Sequence, residues 1–231
     1  MTAAERPEQG FPGLAPTGPR PRAAVLAAGD LPASELLPRL IEDIDLVVAA
    51  DGGLAHAAAL GLTPRLIVGD LDSVDPALLE RYRETPVQRH RVDKDELDLE
   101  LALSAARELG AAAFRVLGAF GGRFDHSLAA LLIGARWVEA GFDLSLHGGA
   151  HEAWLCTPRQ PVTLTLTPGT TVSLLALRDG AVLSSEGLRF KLTDTRLDFG
   201  TGLGMSNVAV SDVVNVRCTG GLTAVIIEHR V

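Results

Sequence analysis

From Ala23 onward the apolar residues of this chain come in short runs, and four of those runs stop at glycine or aspartate. Ala23–Val25–Leu26–Ala27–Ala28 stops at Gly29, and Leu46–Val47–Val48–Ala49–Ala50 at Asp51–Gly52–Gly53. Leu66–Ile67–Val68 stops at Gly69–Asp70, and Phe114–Val116–Leu117 at Gly118. Runs of this length and composition suit strands buried on both faces. Helix-length segments separate them. Ser34 is placed to cap a helix carrying Leu36, Leu37, Leu40 and Ile41. A second helix runs through Leu60 to a stop at Gly61, and a third starts at Asp75–Pro76. Asp95–Gly110 alternates like a strand at Leu97, Leu99, Leu101 and Leu103, but its length and Ala, Glu and Leu content favour a helix ended by Gly110. Another helix fills Leu128–Ala140, before a last run at Phe142–Leu144–Leu146. Strand and helix in alternation predict an α/β unit, a mostly parallel sheet with helices on both faces.

Near residue 150 the period changes. Val162–Leu164–Leu166, Val172–Leu174–Ala176, Val182, Leu188–Phe190–Leu192, Val208–Val210, Val214–Val216 and Val225–Ile227 place apolar residues at every second position. Pro168–Gly169, Asp179–Gly180 and Gly220–Gly221 punctuate them. This is the signature of an antiparallel β unit of about 75 residues, a sandwich or half-barrel, and the sandwich is the form expected here. The expected organisation is a flexible arm over residues 1–22, where five of the thirteen prolines fall, an α/β domain over 23–150 and a β-sandwich domain over 151–231.

Composition narrows the functional classes. The net charge is −8 and no Lys/Arg-rich run exists, so nucleic acid is not an expected partner. No run of 18 apolar residues is present, so no membrane span is expected. The N-terminus has no apolar stretch of the signal-peptide kind. With Cys156 and Cys218 far apart in sequence, two reduced thiols and a cytoplasmic location are expected.

Three acidic clusters stand where strands end or helices begin: Asp51–Gly52–Gly53, Gly69–Asp70–Leu71–Asp72–Ser73 and Asp93–Lys94–Asp95–Glu96–Leu97–Asp98. Ligands of open α/β sheets bind outside the carboxyl ends of the strands. Asp70 and Asp72, two apart on a loop, are able to lean to the same side. Asp95 and Asp98, three apart, share a face if helical. Carboxylates gathered without His or Cys suit a hard cation, Mg²⁺ or Mn²⁺. Any one of these aspartates is as readily a cap or turn former. Three clusters with an x-Asp-x-Asp pair are more than capping requires.

A fourth cluster, Gly118–Ala119–Phe120–Gly121–Gly122–Arg123–Phe124–Asp125–His126, lies between a strand and a helix. Glycines there let backbone N–H groups approach a phosphate, and Arg123 adds a fork of donors. It is neither a Walker A loop nor a dinucleotide fingerprint. Ser206–Asn207 and Gly187–Leu188–Arg189–Phe190 read simply as a turn and a strand.

Taken in order, Ala50–Asp51–Gly52–Gly53, Ile67–Val68–Gly69–Asp70–Leu71–Asp72–Ser73, Asp93–Lys94–Asp95–Glu96–Leu97–Asp98–Leu99–Glu100, Gly121–Gly122–Arg123–Phe124–Asp125–His126, Gly187–Leu188–Arg189–Phe190 and Ser206–Asn207 resemble the motifs of thiamine pyrophosphokinases. The resemblance spans residue 24 to the C-terminus. It implies transfer of pyrophosphate from ATP to the hydroxyl of thiamine, a homodimer, and thiamine held near the subunit interface. It implies metal on Asp70, Asp72, Asp95 and Asp98, and ATP phosphates on Gly52, Gly53, Lys94, Gly121, Gly122, Arg123 and His126. Asp51, Asp98, Arg123 and Asp125 become candidate catalytic residues, and Phe190, Ser206 and Asn207 would line the thiamine site. The proton acceptor stays open among Asp51, Asp98 and Asp125. Two positions depart from the family pattern: Leu97 stands where Thr is common, and Phe190 where Trp or Tyr is common. On alternation with Leu188 and Leu192 alone, Phe190 reads equally as a core residue. The same carboxylates would also serve a metal-dependent nucleotide phosphohydrolase or a non-catalytic nucleotide or thiamine sensor.

Overall fold

The computed structural model describes residues 21–72, 74–90 and 96–229. Lys94, Asp95 and nearly all of the expected N-terminal arm lie outside the described residues. The elements in chain order are β1 (Arg22–Leu26), α1 (Leu37–Ile41), β2 (Leu46–Ala50), a 3₁₀ turn (Asp51–Gly53), α2 (Leu54–Leu60), β3 (Leu66–Gly69), α3 (Pro76–Arg81), β4 (Val87–Arg89), α4 (Asp98–Glu108), β5 (Ala113–Leu117), α5 (Phe124–Glu139) and β6 (Asp143–Gly148). There follow β7 (His151–Cys156), β8 (Val162–Thr165), β9 (Thr171–Ala176), β10 (Ala181–Glu186), β11 (Thr195–Leu197), β12 (Asn207–Val208), β13 (Val213–Gly220) and β14 (Thr223–Glu228).

Alternate residues of the parallel strands face opposite sides of the sheet, and each side has its own core. Val25, Val48, Val68 and Val116 pack under α4 and α5, against Ala102, Leu103, Ala106 and Ile133. Leu26, Ala49 and Ile67 pack on the other side against Leu40 of α1 and Leu54 and Ala57 of α2. Three of the chain's few aromatics gather at one place: the Phe114 ring lies edge-on to Trp137 at 5.1 Å and to Phe142 at 5.8 Å.

The strand order of the larger sheet is β12-β9-β14-β7-β6-β5-β1-β2-β3-β4. The six strands from β6 to β4 are parallel. β6 and β7 form an antiparallel hairpin, and β14, β9 and β12 extend the sheet beyond it. Ten strands thus continue without a break past residue 150. A second, antiparallel sheet of order β11-β10-β13-β8 covers the distal part. Each of the three turn signals at Pro168–Gly169, Asp179–Gly180 and Gly220–Gly221 carries the chain from one sheet to the other, so the two sheets grow together around Val162, Leu174, Leu183, Val216 and Ile227. Cys156 and Cys218 are buried there as free thiols. No helix among the described residues is long and apolar enough to cross a membrane.

Several sequence expectations are corrected. The Ser34 hydroxyl bonds Glu35, and α1 starts after Leu36 with no side-chain cap. α5 begins at Phe124, four residues early, because its first turn carries exposed or polar side chains that show no apolar period. β4, β7 and β11 were not foreseen. Leu188–Leu192 is not a strand: only Leu188 forms a bridge, to Ala209.

Candidate active site

In the parallel part β2 and β3 follow β1 to one side, while β5 and β6 lie on the other. The crevice therefore opens between the carboxyl ends of β1 and β5, where strand order reverses. A cleft of about 400 Å³ lies there, walled by Ala27–Gly29 after β1, Asp51 after β2, Asp98 at the start of α4, and Gly118, Gly121, Gly122, Arg123 and His126 around the start of α5.

Glycine is what lets these loops close on one another. The Ala27 and Gly29 N–H groups donate to the carbonyls of Leu117 and Gly118 at 2.8 and 2.9 Å. A Cβ on Gly29 would stand 2.4 Å from the Phe120 carbonyl oxygen. His56 of α2 donates from Nε2 to the Gly29 carbonyl at 2.7 Å and so ties the helix after Asp51 to the loop after β1. Sequence reasoning missed His56, because a lone histidine in an alanine-rich helix carries no signal of its role.

One carboxylate oxygen each from Asp51, Asp70 and Asp72 lies within 4.8 Å of the others. Backbone geometry makes this meeting possible. Asp51 and Leu71 both adopt positive φ, 44° and 64°, and the Asp72 N–H donates to Asp70 Oδ1 at 3.1 Å. An all-carboxylate set of this size fits a hard divalent cation bound by oxygen. The structure thus brings Asp51 to the Asp70–Asp72 pair. Asp98 is the first residue of α4 and lies in the cleft wall with Asp51. Asp95, which the sequence reading joined to Asp98, lies outside the described residues. Glu100 accepts from the Leu97 N–H at 3.4 Å, half of a capping box; leucine has no oxygen to complete the other half.

Arg123 is the N-cap residue of α5. Its guanidinium makes two bonds to Asp125, Nε to Oδ1 at 3.1 Å and Nη2 to Oδ2 at 2.5 Å. That fork holds the Asp125 carboxyl down at about 2, well below the usual carboxylate range. Gly52 and Gly53 form the turn under Asp51, and Gly53 comes so close to β1 that a Cβ would reach within 2.0 Å of the Leu26 carbonyl oxygen.

The three other predicted residues lie elsewhere. Asn207 is buried, accepting from the Phe190 N–H at 3.0 Å and donating to the Phe190 carbonyl at 2.8 Å. Ser206, at φ 55°, donates its N–H to Ser173 Oγ. This clamp holds the Phe190 backbone while the residue stays 65% exposed, so the core-strand reading of Phe190 is excluded. β12 stands six strands from β1 in the sheet, which at about 4.8 Å per strand is about 29 Å.

Comparison with the sequences of curated proteins gave no match. Among solved structures, thiamine pyrophosphokinase from Bacillus subtilis is 21% identical, covering 91% of this chain and 100% of that one with a TM-score of 0.79. The enzyme from Geobacillus thermodenitrificans is 21% identical over 90% of this chain and 98% of its own, TM-score 0.77. That from Candida albicans is 16% identical over 90% of each chain, TM-score 0.72. At such identities these likenesses establish the fold. Two family patterns match the sequence itself: the thiamin pyrophosphokinase catalytic domain over residues 37–146 and the thiamin pyrophosphokinase vitamin B1 binding domain over residues 160–223. With both patterns present in order over most of its length, and with most of the cleft's walls inside the first, the chain belongs to the thiamin pyrophosphokinase family.

Proposed function

We propose that ATP is the donor, that the hydroxyl oxygen of thiamine attacks its β-phosphorus, and that AMP leaves while the β,γ-pyrophosphoryl group stays on thiamine. The observation that carries this reading is the meeting of the Asp51–Asp70–Asp72 carboxylates with a glycine-walled cleft at the strand-order reversal. A Mg²⁺ or Mn²⁺ ion held on those three carboxylates would neutralise charge on the phosphate oxygens. The protein's own part is positioning and charge complementation. The N–H groups of Gly121 and Gly122 and the start of α5 offer donors to phosphate. Arg123, keeping its bonds to Asp125, turns its remaining N–H donors to the same oxygens. Asp125, held at about 2 by Arg123, is a poor proton acceptor. Asp51 faces Asp70 and Asp72. Asp98, across the cleft wall, is therefore our candidate to take the hydroxyl proton. We keep Lys94, Asp95 and His126 as phosphate or metal contacts on the family resemblance, and Gly52 and Gly53 as the turn that sets Asp51.

Phe190, Ser206 and Asn207 are proposed to hold thiamine, and the six-strand separation supports a site shared between two copies. Two exposed apolar patches fit this. Phe124, Leu128 and Leu132 recur along one face of α5 beside the cleft, and Phe199, Leu203 and Met205 lie in the segment that leads into β12. Exposed apolar groups of this kind mark interaction surfaces, and an isologous dimer pairs two such patches twice. We accordingly propose a homodimer, with residues 23–150 serving ATP and 151–231 serving thiamine and assembly, acting in the cytoplasm. AMP release measured with and without thiamine tests the reaction. AMP that requires thiamine supports the transferase, and equal AMP or ADP without it supports nucleotide hydrolysis instead.

A further inference from the structure

Outside the cleft, the most enclosed charged group among the described residues is Glu152 on β7, 1% exposed. A carboxylate so placed needs partners to stay ionised, and four segments supply them. The Arg39 guanidinium of α1 pairs with Oε1. His229, just past β14, contacts Oε1 through Nε2 at 2.6 Å. Trp154 donates its indole N–H to Oε2 at 3.1 Å. His147, the cross-strand partner on β6, faces Oε2 through Nδ1 at 3.3 Å. The histidines and Arg39 hold the carboxyl far below its ordinary range despite burial. Burial pushes His147 down, so its ring is neutral. Its Nε2 lies 2.8 Å from Ser145 Oγ, within hydrogen-bond distance.

The hairpin that carries this cluster also fixes both loops of the cleft. The Ala119 N–H donates to the His147 carbonyl at 3.0 Å. The Gly149 N–H donates to the carbonyls of Asp30 and Leu31, both at 3.2 Å, and the Asp30 N–H to the Phe120 carbonyl at 2.7 Å. Gly148 lies so close that a Cβ would stand 2.5 Å from the Phe120 nitrogen. The His229 N–H donates to the Ala150 carbonyl at 2.8 Å, bringing the end of the chain's last strand onto the same turn. Displacing this turn displaces the 27–30 and 118–122 loops together.

We propose that Glu152 is a positioning residue for the nucleotide: its carboxylate, gripped by Arg39, His147, Trp154 and His229, holds the β6–β7 turn and through it the two glycine loops, and His229 brings the last strand of the β-sandwich half into that support. This rests on the reading of the cleft as the ATP site.

The test is binding of a non-hydrolysable ATP analogue with Mg²⁺ to the full-length protein, far below each variant's melting midpoint, alongside thiamine binding and the melting curve. Glu152→Gln keeps the shape and removes the charge; analogue affinity should fall about tenfold or more with thiamine affinity within twofold. His229→Ala, at a partly exposed position that leaves the strand intact, should weaken the analogue about threefold to fivefold, and His229→Gln, which restores a donor, should recover most of that. If Glu152→Gln does not fold, the His229 pair decides alone. A lower midpoint with unchanged analogue affinity makes the cluster purely structural and overturns the proposal. Equal loss of thiamine and analogue binding overturns it too. Wild-type protein that binds no analogue removes the ATP reading and this proposal with it, whereas wild-type binding with unaffected variants removes this proposal alone.

Discussion

A Cβ placed on Gly69 would stand 3.0 Å from the Cβ of Asp51, and Gly69 holds φ at 150°. The end of β3 thus has to be bare for Asp51 to lie beside Asp70. Gly69→Ala should push the 51 and 70 loops apart. Displacement near 1 Å at a reacting centre costs up to about 10²-fold in rate. We expect turnover at saturating Mg²⁺ to fall about 10-fold to 100-fold with ATP still bound. Wild-type turnover in this variant would mean the close approach is immaterial.

Asp72→Asn should leave the fold intact, since the side chain is exposed on a loop. Loss of several kcal/mol of charge stabilisation predicts a fall of about 10²-fold or more in turnover. Mg²⁺ titration of the rate checks this, and turnover within about threefold of wild type would remove Asp72 from the metal site.

Asp125 owes its low pKa to the Arg123 fork before any other cause. Arg123→Ala should return the carboxyl from about 2 to about 3.9, read by carbon NMR titration. A carboxyl depressed in the folded state adds stability above its unfolded value and loses it as pH falls from about 4 toward 2. Both groups are exposed, so the melting midpoint should barely change above pH 5. An acidic limb of the rate between pH 5 and 7 would belong to another group.

Exposed, and with its backbone held by Asn207, Phe190 is free to be truncated. Phe190→Ala should raise the thiamine KM about 5-fold to 30-fold, the loss of ~1–2 kcal/mol of cation–π contact. The ATP KM and the midpoint should stay put. An unchanged thiamine KM would take Phe190 out of the site.

A site shared between copies predicts complementation. Asp72→Asn and Phe190→Ala protein, each impaired alone, should regain activity when mixed and allowed to exchange subunits, because the mixed dimer holds one site free of both changes. Light scattering should give twice the 24.3 kDa chain mass. A single-chain mass, or no gain on mixing, argues that each copy works alone.

The buried parallel strands were legible because β1, β2, β3 and β5 are apolar on both faces and end in Gly or Asp, a pattern that needs no tertiary context. β4 and β11 were not: each is three residues long, and all of β4 is exposed, so neither has an apolar face to announce it. Leu188–Phe190–Leu192 imitated a strand because alternation records only what is apolar. It says nothing of whether a neighbour is there to pair, and the clamp on Phe190 comes from Asn207, 17 residues away. The aspartates of the cleft stood out as clusters, whereas the assignment of Asp51 to the Asp70–Asp72 group needed the Gly69 contact. Glu152 and His229 are separated by 77 residues and resemble ordinary surface residues in sequence.

The uninterrupted passage of the larger sheet beyond residue 150 makes the two family regions poor modules. A chain severed there would leave β6 with a raw row of N–H and C=O groups, an invitation to aggregate, and would strip β7 of its scaffold. Neither half is a portable cassette. A substitution on β9, β12 or β14 falls on strands hydrogen-bonded in series to those that wall the cleft, so its strain is passed along one continuous ladder.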